Sequence, residues 1–517
     1  MYGVVWASCV SGDQVRAFVR MLGFNDFAFG VMGALPFIAT VGQVSAAVTV
    51  ERTGLRKYHF MIYATLHRLL WLFVAAVPLV LFPGPVAVVA VLVLMGATYY
   101  LGAVSVPSWT TWMGDLIPRR IRGRYFARRV QWAQAVQIVV VIAVSIALDW
   151  AAVRGRPETI SGQPVLMHVI CGVFAVGAVF GVIDILMFLR VREVVPPARS
   201  GEAAFQRPSA SAAGPLARGL AVVRELVLDP MQDMAFRRYV GYGATLTFTM
   251  AVAGWYFWRY STEGLGFSRL GTNALFMVIG PLAGTLTAGR WGSLQDRWGR
   301  RPVLMVCTIG ATISMVPWFF TSRYVPTPGF LAGGINAVSA AIGRVLGQGD
   351  WQWVTAQTPV VAYLLASLGC IIGGSSWTGL GLAQTGVVLG FCDGPGRGKY
   401  VAASAVLVSA GGAIGGLVGG AVTQALGYFQ QHPLQLGPFL WNNWHATFAM
   451  AVVGRLLSLL WLKGMPDPGS GRVRDMLRHY TTGVYEGFQL GLRYPFRLLL
   501  GLGRRNRHGR ERDDQQG

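Results

Sequence analysis

Gly292-Ser293-Leu294-Gln295-Asp296-Arg297-Trp298-Gly299-Arg300-Arg301-Pro302 lies between two long apolar runs, and a shorter echo, Glu51-Arg52-Thr53-Gly54-Leu55-Arg56-Lys57, lies between two others 245 residues earlier. In both, an acid is followed by Arg, any residue, Gly, any residue and Arg. A second pair of loops, Arg122-Gly123-Arg124-Tyr125-Phe126-Ala127 and Arg397-Gly398-Lys399-Tyr400-Val401-Ala402, stands 275 residues apart. Two matched loops at matching places among apolar runs point to an internal duplication with parallel halves. The offsets differ because residues 321–358, read as a long outer loop, have no counterpart in the first half.

Outward from these loops the chain divides into twelve apolar segments: 2–21, 29–50, 60–82, 86–113, 130–152 and 165–189, then 239–260, 272–289, 303–320, one within 359–391, 401–428 and 441–462. Each can cross ~30 Å of hydrocarbon at about 1.5 Å per residue. Such segments must be helical, because backbone polar groups find no water in lipid. Composition agrees. Of 517 residues, 53% are hydrophobic and 13% charged, against roughly 25% charged in soluble domains. Too few charges remain to cover a water-facing surface, and 17 Trp, 17 Tyr and 27 Phe exclude disorder.

The net charge of +22 is not a nucleic-acid footprint, because the basic residues form short clusters between apolar runs. Thirty-four Lys and Arg fall in the connections after even-numbered segments and the tail, and 8 in those after odd-numbered segments. This asymmetry places the even connections and both termini in the cytoplasm of a cell (inner) membrane. The expected organisation is a six-helix bundle at 1–189, a Pro/Ala/Ser/Arg-rich cytoplasmic linker at 190–238, a second bundle at 239–463 and a basic tail at 464–517. No cleavable signal peptide is evident. Segment 1 starts without a cytoplasmic lead-in, which points to a chain start assigned too late. The five cysteines show no metal-ligand spacing and read as small buried hydrophobes.

The stretch 292–302 resembles the loop signature of the major facilitator superfamily, which runs Gly, three residues, Asp-Arg, any residue, then Gly-Arg-Arg or Gly-Arg-Lys. The first-half copy departs from it, with Ala47 for the leading Gly and Glu51 for Asp. Asp115-Leu116-Ile117-Pro118 followed by Arg122-Gly123-Arg124-Tyr125-Phe126 resembles a loop of poorly characterised bacterial members. The resemblance implies an all-α polytopic membrane protein with twelve helices in two six-helix bundles. It implies a monomeric secondary transporter that moves a small solute by alternating access, with coupling to a proton or other ion left open and no cofactor. In the family such an Asp helps hold the cytoplasmic side closed. That assigns a cytoplasmic gate to Gly292, Asp296, Arg297, Gly299, Arg300 and Arg301, and to Glu51, Arg52, Gly54 and Arg56. Asp115, Arg122, Gly123 and Arg124 form a further cytoplasmic cluster, suited also to anionic headgroups. Locally, Gly292 and Gly299 suit tight turns and close helix approach, and Asp296 suits the start of the ninth segment. The plain alternative is a turn plus topogenic charge.

By the resemblance, helices 1, 4, 7 and 10 line a central cavity. Asp13 is the carboxylate well inside such a helix, and Arg16 three residues on makes a pair easy. Cargo or proton binding and a structural pair both fit. Tyr99, Tyr100, Trp255 and Trp377 offer ring faces to an amphipathic cargo, whereas Trp109, Trp112 and Trp258 read as interfacial anchors. Gln384, like Gln131, Gln134 and Gln137, either bonds a neighbouring helix or lines the cavity. Arg68 and Arg455 are expected to snorkel to headgroups. Segment 10 is overlong, with Gly373-Gly374 as a hinge. The pairs Gly411-Gly412, Gly415-Gly416 and Gly419-Gly420 allow close packing. In the tail, 473–488 has the spacing of a helix on the membrane surface. A transporter-like receptor or assembly factor remains as an alternative. A membrane enzyme is disfavoured, because no paired carboxylates, His/Asp cluster or nucleotide loop marks a catalytic centre, and no metal ligands are evident.

Overall fold

The computed structural model describes residues 2–43, 46, 55–117, 119–154, 159–160, 163–191, 193, 229–345, 354–355, 358–390, 397–465, 470–471 and 473–476. The first half of the chain contributes α1 (Tyr2–Cys9), α2 (Asp13–Met21), α3 (Asp26–Ile38), α4 (Arg56–Val80), α5 (Pro85–Leu116), α6 (Arg119–Arg154) and α7 (Val165–Leu186). The second contributes α8 (Met234–Arg259), α9 (Arg269–Trp298, with a π-helical stretch at Ala274–Ile279), α10 (Arg300–Ile313), α11 (Gly329–Val345), α12 (Val360–Gly390), α13 (Arg397–Ala425) and α14 (Asn443–Leu462). Four free cysteines among the described residues, Cys9, Cys171, Cys307 and Cys370, are buried.

Ten described helical stretches are long and apolar enough to cross a membrane, and they match the expected segments 2–6 and 8–12. The first and seventh segments differ for two reasons. Segment 1 is not one helix: Gly12 takes φ 85°, a left-handed conformation that costs glycine little, and the chain breaks into α1 and α2. Segment 7 is continuous as α8 but polar, carrying Arg237, Arg238, Thr245, Thr247 and Arg259 along its length. Its start is fixed by Asp233, whose carboxylate accepts the backbone N–H groups of Ala235 (2.8 Å) and Phe236 (3.3 Å). Asn25 caps α3 in the same way through Ala28, and Asn442 and His445 form a capping box on α14.

The region read as a loop, 321–358, contains a helix, α11. It was hidden because it is Gly-rich and follows Pro326 and Pro328. The described start of the tail touches the bundle. Gly471 donates its N–H to the Trp298 carbonyl (2.9 Å), and Met476 is buried among Phe236, Leu294 and Val303. Residues 477–488 lie outside the described residues.

Within the first half, α4 packs on α5 and α7, and α1 on α7; within the second, α8 packs on α13 and α14, and α12 on α9 and α10. The halves meet along α3 and α13, and where α6 meets the start of α9. At the first seam Gly30 faces Gly416 and Gly420, so backbone lies against backbone. The paired glycines of α13 divide their work. Gly412, Gly416 and Gly420 face α3, whereas Gly411, Gly415 and Gly419 face Ala244, Phe248 and Val252 of α8.

Candidate functional site

The connections after segments 1 and 7 share one end of the molecule, here the odd end. The turn at Gly12 places Asp13 there, at the start of α2 and fully buried. Asp13 Oδ1 accepts from Arg16 Nε (2.5 Å), and Oδ2 from Arg269 Nη1 of the second half (2.6 Å). The Asp13 N–H donates to Asn273 Oδ1 (2.9 Å). Arg16 reaches on to Glu263 Oε1 (3.0 Å), and Glu263 Oε2 accepts from Arg259 (3.1 Å). Arg259 pairs with Asp26 of α3, whose other oxygen accepts from Asn443 Nδ2 (3.2 Å).

The result is a chain, Arg269–Asp13–Arg16–Glu263–Arg259–Asp26–Asn443, with three carboxylates against three guanidinium groups. It passes between the halves four times. Arg259 is wholly buried, with its guanidinium over Phe29 (4.8 Å) and Trp444 (5.3 Å). Burial strengthens each attraction but also costs hydration, so the chain is stable only while every charge keeps a partner. A second contact lies beside it. Asp149 of α6 accepts the N–H groups of Arg269 and Leu270 (both 3.0 Å), a carboxylate on the positive end of α9. Asn273 also donates to Ser145 (2.9 Å), and Gln137 to the Met277 carbonyl (3.3 Å).

Of the residues singled out from sequence, Asp13 joins this network; its pair with Arg16 is present, with Arg269 added. Trp255 lies against Gly33, and Tyr100 against Gly42, both along the α3 region. Tyr99 packs on the first-half core. Trp377 lies elsewhere, under the Arg455 guanidinium at 5.2 Å, and Gln384 is half-buried farther along α12. Arg455 does not snorkel. It is 4% exposed and donates to the Ala311 carbonyl.

At the opposite end, Gly299 adopts φ 91° and separates α9 from α10. Gly292 is neither a turn nor a close approach: it lies inside α9 with open space at its Cβ position. Asp296 is exposed, and no side chain caps α10, because the N-cap position is Gly299 itself. Arg297 covers the Trp298 ring (5.6 Å), and Arg300 and Arg301 are half-buried. Arg122, Gly123 and Arg124, expected in a loop, are helical within α6; Asp115 is in α5. Glu51, Arg52 and Gly54 lie outside the described residues. Arg56 opens α4, and its neighbour Lys57 donates to the carbonyls of Leu189 (3.0 Å) and Val191 (2.7 Å).

Asp26, Asp149, Arg259, Glu263, Arg269, Asn273 and Asn443 were missed by sequence reasoning. The available signal was weak: Arg259 and Glu263 are spaced i, i+4, and Asp149 is a charge inside an apolar segment.

No protein-family model matches the sequence, and no curated protein matches it. Solved structures do match in shape. The inward open xylose transporter XylE from E. coli superimposes with a TM-score of 0.56 at 15% identity, covering 92% of this chain and 97% of that one. A D-xylose-proton symporter gives 0.57 at 14%, covering 91% and 97%. The nucleoside transporter NupG gives 0.53 at 13%, covering 90% and 96%. The fold is that of the major facilitator superfamily. With this major-facilitator fold and its ten helices of spanning length, the chain is a multi-pass membrane protein. Within the major-facilitator fold, the charge chain occupies the odd end of the seam between the halves.

Proposed function

We propose that this protein is a secondary transporter, not an enzyme, that moves a small solute by alternating access between its two six-helix halves. The odd end faces away from the cytoplasm, both termini lie inside, and the structure is the state closed at the odd end. The observation that carries the reading is the charge chain from Arg269 to Asn443, which bridges the halves repeatedly yet consists of groups that water can take over. Such contacts can break and reform, because water rehydrates each ion as the halves part. Trp255 and Tyr100, beside the seam, are the cargo-facing rings in this reading. Likeness to xylose and nucleoside transporters supports transport as the activity and leaves the solute class of this chain to experiment.

The test is uptake in proteoliposomes of radiolabelled sugars, nucleosides, amino acids and organic acids, with and without an imposed pH gradient. Saturable uptake of one class, lost in Asp26→Asn, supports the reading. Binding of a solute in detergent with no uptake under any gradient replaces it with a receptor.

A further inference from the structure

A cavity of about 380 Å³ is lined wholly by residues of the second half. Its wall is aromatic. Phe276 and Trp318 stack at 5.6 Å, Phe257 meets Trp318 edge-on at 4.9 Å, and Trp377 and Cys370 close it along α12. Arg455 of α14 is the charged residue lining it.

The three arginines of the charge chain each hold a carboxylate. Arg455 holds none among the described residues. One Nη donates to a backbone carbonyl, the plane lies over Trp377, and Nε has no hydrogen-bond partner. A guanidinium stays protonated at any physiological pH. Leaving it buried without a counter-ion in a membrane helix is costly, and such residues mark binding sites. The planar fork matches a carboxylate through two parallel hydrogen bonds, one of them from Nε. The aromatic wall suits a flat or extended apolar body and offers a phosphate or free inorganic anion little.

We propose that this cavity binds a small carboxylate with an apolar body, its charge on Arg455 and its body among Phe257, Phe276 and Trp318. The site stands independently of transport.

The test uses the full chain in detergent and three probes, benzoate, 3-phenylpropanoate and octanoate, each against its neutral amide. Binding is read by thermal stabilisation and by tryptophan fluorescence. At least one acid should bind, and its amide should bind at least about tenfold more weakly, the factor for losing ~1.4 kcal/mol. Arg455→Met should abolish this preference while Arg455→Lys keeps part of it. Cys370→Phe, which fills the cavity and leaves Arg455 intact, should remove binding of acid and amide alike and serves if Arg455→Met does not fold. Equal affinity for acid and amide, no binding by any acid, or binding unchanged in Cys370→Phe overturns the proposal. None of these outcomes depends on whether the protein transports.

Discussion

Arg259 joins the two carboxylates Asp26 and Glu263, and its removal leaves Asp26 without a cation among the described residues while Glu263 keeps Arg16. Arg259→Met should therefore lower stability by about 3–5 kcal/mol, the usual cost of breaking a buried pair from one side. Thermal unfolding in detergent measures it. Adding Asp26→Asn should restore more than half of the loss, because Asp13 and Glu263 then balance Arg16 and Arg269; a double variant no better than the single one would locate the effect in packing. Asp149→Asn should cost less, about 0.5–2 kcal/mol, since it weakens one helix-end contact and leaves the guanidinium chain intact. At this scale the sequence was legible only locally. Asp13 and Arg16 sit one helical turn apart, so their pairing follows from spacing. Arg269 and Glu263 reach the same cluster from about 250 residues away, and no periodicity encodes that. Arg455 was misread for a related reason: a helical rise gives depth in the bilayer but not which face meets neighbouring helices.

The two stripes on α13 separate stability from conformational equilibrium. Gly415→Leu strikes the α8 backbone inside its own bundle and should cost about 1–3 kcal/mol of stability. Gly416→Leu strikes Ala34 of α3 across the seam. It should shift the protein toward parting at the odd end, with a smaller loss of stability. The check is maleimide labelling of Gly33→Cys from the odd side, which should quicken about tenfold if the seam loses ~1.4 kcal/mol; unchanged labelling would deny that the glycine contact holds the seam. Ten segments could be read from hydropathy because lipid demands long apolar helices. The other two were read as well, but fall short of a long apolar helix for physical reasons. A left-handed glycine interrupts the first, and polar residues packed against α13, α14 and α3 interrupt the apolar pattern of the seventh. The duplicated loops found the fold but only part of its working parts. Gly299 is a turn as expected, whereas Gly292 is plain helix.

If the halves rock as units, fixing them at one point of the seam should stop the cycle. Cysteines placed by Phe37→Cys and Gly412→Cys, which face each other across α3 and α13, and joined by a short reducible linker should reduce uptake to background. Reduction should restore it. Uptake that continues with the link in place would end the two-body description. The far end of the molecule carries a separate consequence. Met476 is buried in the same apolar cluster as Phe236, Leu294 and Val303, and Gly471 is tied to the Trp298 carbonyl beside the glycine turn. The start of the tail is therefore a plug for greasy surface. A gene truncated before codon 470 would yield a polypeptide with that surface bare, prone to clumping on extraction and to clearance by membrane quality-control proteases even if every helix still inserted.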